Sequence, residues 1–156
     1  MRVSVVTVSD RASRGEYEDL SGPEIERILR ESVPGVEVGR RVVPDEVEAI
    51  LEAFHASGDV DWILTTGGTG PAPRDVTPEA TRLWIDRELP GIAEALRAES
   101  YKETRNAVFS RGVAGMRGRQ YVVNFPGSVK AVRLCASILA PILEHGIRMA
   151  SGEGHG

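Results

Sequence analysis

At 156 residues, with 41% hydrophobic and 27% charged residues, the chain has the composition of an ordinary globular protein, long enough to bury one core without disulfides or a structural metal. Its formal net charge of -4, from 19 basic and 23 acidic residues without any block of like charge, argues against a nucleic-acid partner or a lipid-binding patch. No stretch approaches the roughly 20 apolar residues of a membrane span.

In chain order, Arg2 to Val8 is rich in β-branched residues and reads as a buried strand that gives way to Ser9-Asp10. The absence of a longer apolar core at this end argues against a signal peptide, so a cytoplasmic location is expected. Ser21-Gly22-Pro23-Glu24 predicts a helix start, with Ser21 as N-cap, Glu24 as its capping-box partner, and Ile25, Ile28 and Leu29 on one face. That helix should end near Pro34-Gly35. Val36 to Val43 is a second strand. Asp45 is placed to cap a helix carrying Val47, Ile50, Leu51 and Phe54, closed by Gly58. Val60 to Thr66 is a third strand, apolar enough for a sheet covered on both faces. A helix restarts at Thr77-Pro78-Glu79, with Thr77 as cap, and another follows Leu89-Pro90-Gly91. Thr104 to Arg119 has no clear pattern. Tyr121 to Phe125 is a further strand, Pro126-Gly127-Ser128 a turn, and Val129 to Met149 one long helix bent at Pro141. Cys135, the single cysteine, lies among Leu134, Ala136, Ile138 and Leu139 and reads as a small core residue. Trp62 and Trp84 also read as core, and His55, His145 and His155, which lack metal-ligand spacing, as surface.

Strands alternating with helices predict an α/β fold: a three-layer, doubly wound, mostly parallel sheet with helices on both faces and right-handed crossovers. A single domain over 1–150 is expected, with 151–156 as a disordered tail.

In such sheets ligands bind beyond the carboxyl ends of the strands. Every unusual motif here lies at such an end: Ser9-Asp10, Asp45, the run from Gly67 to Asp75, and Asn124 to Ser128. Gly67-Gly68-Thr69-Gly70 lets the backbone turn with positive φ, approach a ligand and cradle an anion with its N–H groups. A tight strand-to-helix turn without any ligand explains a glycine run equally well. Arg74 and Asp75 tip the balance toward phosphate and metal. The run lacks the Lys-Ser or Lys-Thr pair of a P-loop, and Pro73 stands where a dinucleotide fingerprint needs its third glycine. Asp45 and Asp75 are the carboxylates suited to hold Mg²⁺ against nucleotide phosphates, with helix capping as the competing role. Asp75 stands above Asp45 because Thr77 is the better cap. Ser9, Ser128 and Ser110-Arg111 read equally as phosphate contacts or as polar surface.

These residues resemble the molybdopterin adenylyltransferases of the MogA/MoaB type. The resemblance runs from Val6-Thr7-Val8-Ser9-Asp10 through Ser21-Gly22-Pro23, Val43-Pro44-Asp45-Glu46 and the central motif to Ser110-Arg111 and Asn124-Phe125-Pro126-Gly127. Arg74-Asp75-Val76-Thr77-Pro78, followed by Arg87-Glu88-Leu89-Pro90-Gly91, looks more like the MogA branch. The resemblance implies a homotrimer that transfers AMP from Mg²⁺-ATP to the terminal phosphate of molybdopterin, with a molybdate-inserting enzyme as the partner receiving the product. It makes Asp45 and Asp75 the essential carboxylates and metal ligands. Gly67, Gly68, Thr69, Gly70, Arg74 and Thr77 would contact phosphate or pterin, and Ser9, Asp10, Ser110, Asn124, Pro126, Gly127 and Ser128 would complete the substrate site. Val129 departs from the family, whose members often carry proline there. Two other readings stand beside this one. One is a catalytically idle pterin binder of the MoaB kind; the other is a pyrophosphatase like the related domain of the competence-damage proteins, which tends toward paired acids after its glycine loop.

Overall fold

The computed structural model describes residues 1–153, so His155 and residues 154–156 of the expected tail lie outside the described residues. Six strands form one sheet in the order β2-β1-β3-β6-β5-β4. β1 (Arg2–Val8), β2 (Glu37–Val43), β3 (Trp62–Thr66) and β6 (Gln120–Phe125) run parallel, whereas β5 (Ala114–Arg117) and β4 (Arg87–Glu88) are antiparallel additions at one edge.

Side chains alternate across the parallel strands, and each parity packs its own layer. Val3, Val5, Trp62, Leu64, Tyr121, Val123 and Phe125 face α2 (Ser21–Ser32), α5 (Pro90–Glu103), α6 (Val129–Leu139) and α7 (Leu143–Ala150). Val6, Val8, Ile63 and Val122 face α3 (Val47–Ala56) and α4 (Thr77–Trp84). The three-layer, mostly parallel α/β architecture is therefore the one the alternation of elements predicts. Trp62 is buried and stacks on Tyr121 with ring centroids 4.0 Å apart, while Trp84 meets Phe54 edge-on, so both tryptophans are core. Cys135 is buried as well, and burial pushes its thiol up to about 11.

Several local expectations differ from the structure. Ser21 does not cap α2: the side chain at the helix start is Asp19, whose Oδ1 accepts from the Gly22 N–H at 3.0 Å, and Glu24 instead pairs with Arg27 and Arg133. Asp45 does not cap α3, which begins after Glu46, and Thr77 lies inside α4 with its hydroxyl donating to the Gly67 carbonyl. The C-terminal helix is not continuous. It breaks into a 3₁₀ turn over Ala140–Ile142 at Pro141, where proline cannot donate, and restarts as α7. Ser151 to Glu153 close α7 with hydrogen bonds to Ile147, Arg148 and Met149. The unpatterned stretch 104–119 contains a 3₁₀ helix over Arg105–Phe109 and the edge strand β5. β4 and β5 escape a periodicity argument because one is two residues long and the other starts with Ala114-Gly115.

Candidate active site

From β1 the chain moves outward to β2 and then returns to the opposite side of β1 as β3, so a crevice opens between the carboxyl ends of β1 and β3. Ser9, Asp10, Asp45 and the whole glycine run gather at this end of the sheet. Ser9 starts the short helix α1 (Asp10–Ser13), its Oγ accepting from the Ala12 N–H at 3.2 Å while its own N–H donates to the Val43 carbonyl.

The glycine run is conformationally demanding. Gly67 (φ 92°) and Gly68 (φ 67°) both lie in the left-handed region. A side chain on Gly67 would strike the Val8 carbonyl, and one on Gly68 would press on Thr77 Oγ1 and come within 3.1 Å of Asp45 Oδ1. A side chain on Gly70 would come within 2.8 Å of Asp75 Oδ2. The absence of side chains thus keeps open the space onto which both carboxylates face.

Asp45 is held by main-chain hydrogen bonds: its Oδ2 accepts from the Asp10 N–H at 2.8 Å, and its own N–H donates to Asp10 Oδ1 at 3.0 Å. Burial pushes its carboxyl above the usual range, and the charges of Asp10 and Asp75 push the same way. Asp10 behaves oppositely, because hydrogen bonds from Arg74 hold it below the ordinary carboxylate range. Asp75 Oδ2 accepts from the Ala72 N–H at 3.0 Å. No hydrogen bond engages Oδ1 of Asp45 or of Asp75 among the described residues.

Arg111, which the sequence leaves between phosphate contact and polar surface, instead holds the loop. Its backbone N–H donates to Thr69 O at 2.7 Å, and its guanidinium reaches Gly70 O and Asp75 O, each at 2.8 Å, while pairing with Glu79. One side chain therefore pins both ends of the segment that presents Asp75. Its motif, Ser110-Arg111, was visible; the carbonyls it grips leave no trace in the sequence.

Two cavities flank the loop. One, of about 250 Å³, lies between α5, the 3₁₀ helix and α6, and is lined by Thr69, Gly70, Ser110, Asn124, Pro126 and Ser128 together with apolar atoms of Ala93, Leu96 and Phe109. Arg97 enters its wall and donates to the Gly112 carbonyl at 2.7 Å. Ala93, Leu96 and Ser100 are buried at helical spacing, a pattern that marks the inner face of α5 without revealing a cavity there. The other cavity, of about 320 Å³, sits in the β1–β3 crevice and is lined by Ser9, Ser21, Thr66, Gly67, Gly127 and Ser128. Ser128 borders both.

Not every expected ligand residue offers a free group. Thr77 is fully buried, and Asn124 spends its amide on Thr65, Thr81 and the Val113 N–H. Ser128 Oγ caps α6 through the Ala131 N–H, and Ser110 Oγ accepts from the Gly112 N–H. Asn124, Ser110 and Ser128 line the cavities, the two serine hydroxyls keeping an O–H to donate, whereas Thr77 lines neither. Among the described residues there is no cluster of three or more His, Cys, Asp or Glu side chains able to hold a metal, and no helix is long and apolar enough to cross a membrane.

Residues 4–145 match a family model described as a probable molybdopterin binding domain. The chain is 38% identical over 157 residues to a protein named molybdopterin adenylyltransferase from Helicobacter pylori (strain J99), covering 98% of this chain and 89% of that one. The crystal structure of the molybdopterin biosynthesis enzyme MoaB from Thermus thermophilus matches with a TM-score of 0.88 at 43% identity, over 97% of this chain and 96% of that one. A structure of MogA matches with a TM-score of 0.90 at 38% identity, over 96% and 99% of the two chains.

Proposed function

Because this chain belongs to the molybdopterin binding domain family, we propose that it catalyses AMP transfer from ATP to the terminal phosphate of molybdopterin. In this reaction a molybdopterin phosphate oxygen forms a bond to the α-phosphorus of ATP, the bond from that phosphorus to the bridging oxygen breaks, and pyrophosphate leaves. The observation that carries the reading is the pair of unengaged carboxylate oxygens, Oδ1 of Asp45 and of Asp75, beside a loop of left-handed glycines between two cavities.

The donor set fits Mg²⁺. A hard cation of this size binds through one or two carboxylates and completes its shell with water and phosphate oxygens, so a site lacking a third protein ligand suits one that arrives with ATP. When bound, the cation would neutralise charge on the triphosphate. The protein's own contribution is to hold Asp45 and Asp75 still, to offer the N–H groups of the loop to phosphate, and to keep the substrates aligned. The 250 Å³ cavity, apolar with few polar groups, suits a flat heterocycle such as the pterin. Ser9 and Gly127 line the 320 Å³ cavity and Pro126 the 250 Å³ one, while Arg74 pairs with Asp10 beside Asp45. The homotrimer, the MogA branch and delivery to a molybdate-inserting enzyme follow from the resemblance, and the cytoplasmic location and the single unit 1–150 from the sequence pattern; we adopt all of them in this reading.

Incubating the protein with α-labelled ATP, Mg²⁺ and molybdopterin, and separating the products, tests the proposal. Adenylylated molybdopterin and pyrophosphate in equal amounts are expected. Molybdopterin binding without transfer would make the chain an idle binder, and pyrophosphate release without labelled pterin would make it a pyrophosphatase.

A further inference from the structure

Asp10 stands among the site carboxylates, yet its oxygens are occupied. Oδ1 accepts from the Asp45 N–H at 3.0 Å and from Arg74 Nη2 at 2.9 Å, and Oδ2 accepts from Arg74 Nε at 3.0 Å. The Asp10 main chain simultaneously donates to Asp45 Oδ2 at 2.8 Å. Asp10 and Asp45 therefore close a reciprocal ring, side chain to main chain in both directions, and Arg74 holds the outer side of that ring with a two-pronged ion pair. The ring settles the rotamer of Asp45: with Oδ2 tied to the Asp10 N–H, Oδ1 is the oxygen left to face Gly68.

We propose that Asp10 is a positioning residue for Asp45, and that the Arg74–Asp10 ion pair, set across the rim of the site, is what orients the Asp45 carboxylate toward the metal and phosphates. This deepens the AMP-transfer reading and rests on it for its kinetic arm. It also reassigns Asp10 from substrate contact to support. Groups that hydrogen-bond to a metal ligand from behind change metal affinity or activity by about 10- to 100-fold when removed. Arg74 suits this task better than lysine would, because its planar fork grips both carboxylate oxygens at once.

The test uses Asp10→Asn, Arg74→Ala and Arg74→Lys in the full chain. Asn keeps an acceptor for the Asp45 N–H, so Asp10→Asn should fold, and thermal melting checks this. Mn²⁺ binding, titrated by electron paramagnetic resonance in the presence of ATP, is read independently of turnover. Asp10→Asn and Arg74→Ala are each expected to weaken Mn²⁺ binding and lower kcat by about tenfold, with KM for molybdopterin nearly unchanged. Arg74→Lys should recover part of both losses. The double variant should be no worse than the weaker single, since the two residues act through one another. Unchanged Mn²⁺ binding in the single variants would overturn the proposal, as would losses that multiply in the double variant. So would a rise in KM with kcat intact, which would make these residues direct substrate contacts. A wild-type protein that binds Mn²⁺ but transfers no AMP would remove the AMP-transfer reading while the Mn²⁺ arm still decides the role of Asp10.

Discussion

The two site carboxylates reach the same loop by different moorings. Asp45 is fixed through a neighbouring carboxylate and an ion pair whose arginine side chain is 62% exposed, so its hold depends on charges at the rim. Asp75 rides on a turn that Arg111 grips through the carbonyls of Gly70 and Asp75 while its guanidinium pairs with Glu79. In the proposed AMP transfer the first mooring would respond to the arrival of a triphosphate, whose charge would compete for Arg74. The second is built to stay rigid. A nucleotide site needs both, a fixed frame for the phosphates and a charge balance that adjusts as metal and substrate enter.

The largest expected effect is on turnover when either carboxylate is neutralised. Asp45→Asn and Asp75→Asn should each lower single-turnover AMP transfer by about 10²-fold or more, with molybdopterin affinity changed far less. If Asp45→Asn transferred AMP at nearly the normal rate, the ring with Asp10 would be a fold element only, and the two moorings would not serve one purpose.

Loosening the rigid mooring comes next. Arg111→Gln removes the grip on both carbonyls, and transfer should fall about tenfold while amide exchange across 70–75 quickens. Lost activity with unchanged exchange would show that Arg111 acts on substrate and not on the loop.

A third variant addresses the loop backbone. Gly67→Ala combines a φ of 92° with a clash against the Val8 carbonyl, and should cost about 2 kcal/mol of stability, read as a lowered urea midpoint. An unshifted midpoint would show that the turn relaxes freely.

The smallest effect serves as a control away from both moorings. Glu24 pairs with Arg27 one turn along α2 and bridges to α6 through Arg133, and those hydrogen bonds hold its carboxyl at about 2. A lowered folded pKa contributes stability that is complete above the unfolded value of 4.5 and is lost as pH falls toward 2. Glu24→Gln should therefore cost about 1 kcal/mol at neutral pH, because partly exposed partners screen the pair. That difference should shrink between pH 4.5 and 2, while AMP transfer at neutral pH should equal that of the unsubstituted protein. A constant difference across that range would mean that packing, and not the charge, explains the loss.

Much of this is legible in the sequence, for identifiable reasons. The β-branched runs of β1 and β3 and the amphipathic face of α2 are local signals, and they were enough to predict the layered sheet and to bring Ser9, Asp45, Gly67 and Pro126 to one end of it. The caps were not legible. Asp19, Ser21, Asp45 and Thr77 all have side chains able to cap a helix, and which one does so depends on partners distant in sequence: Asp19 also accepts from Thr7, Asp45 is drawn to Asp10, and Thr77 turns to Gly67. The reach of Arg111 across 41 residues to Gly70, and the ring between Asp10 and Asp45 across 35, have no local signature at all. The residues of the site were thus visible as types at strand ends, whereas their division into contact and support appears only in three dimensions.

In the proposed reaction two differently moored carboxylates work as one unit on the same phosphates. Single-turnover AMP transfer by Asp45→Asn, Asp75→Asn and the double variant, with all three shown to be folded and to bind molybdopterin, tests it most directly. Residues acting as a unit lose their shared contribution once, so the double variant should transfer AMP at about the rate of the slower single. A double variant slowed by the product of the two single effects would contradict the account, showing that Asp45 and Asp75 act independently.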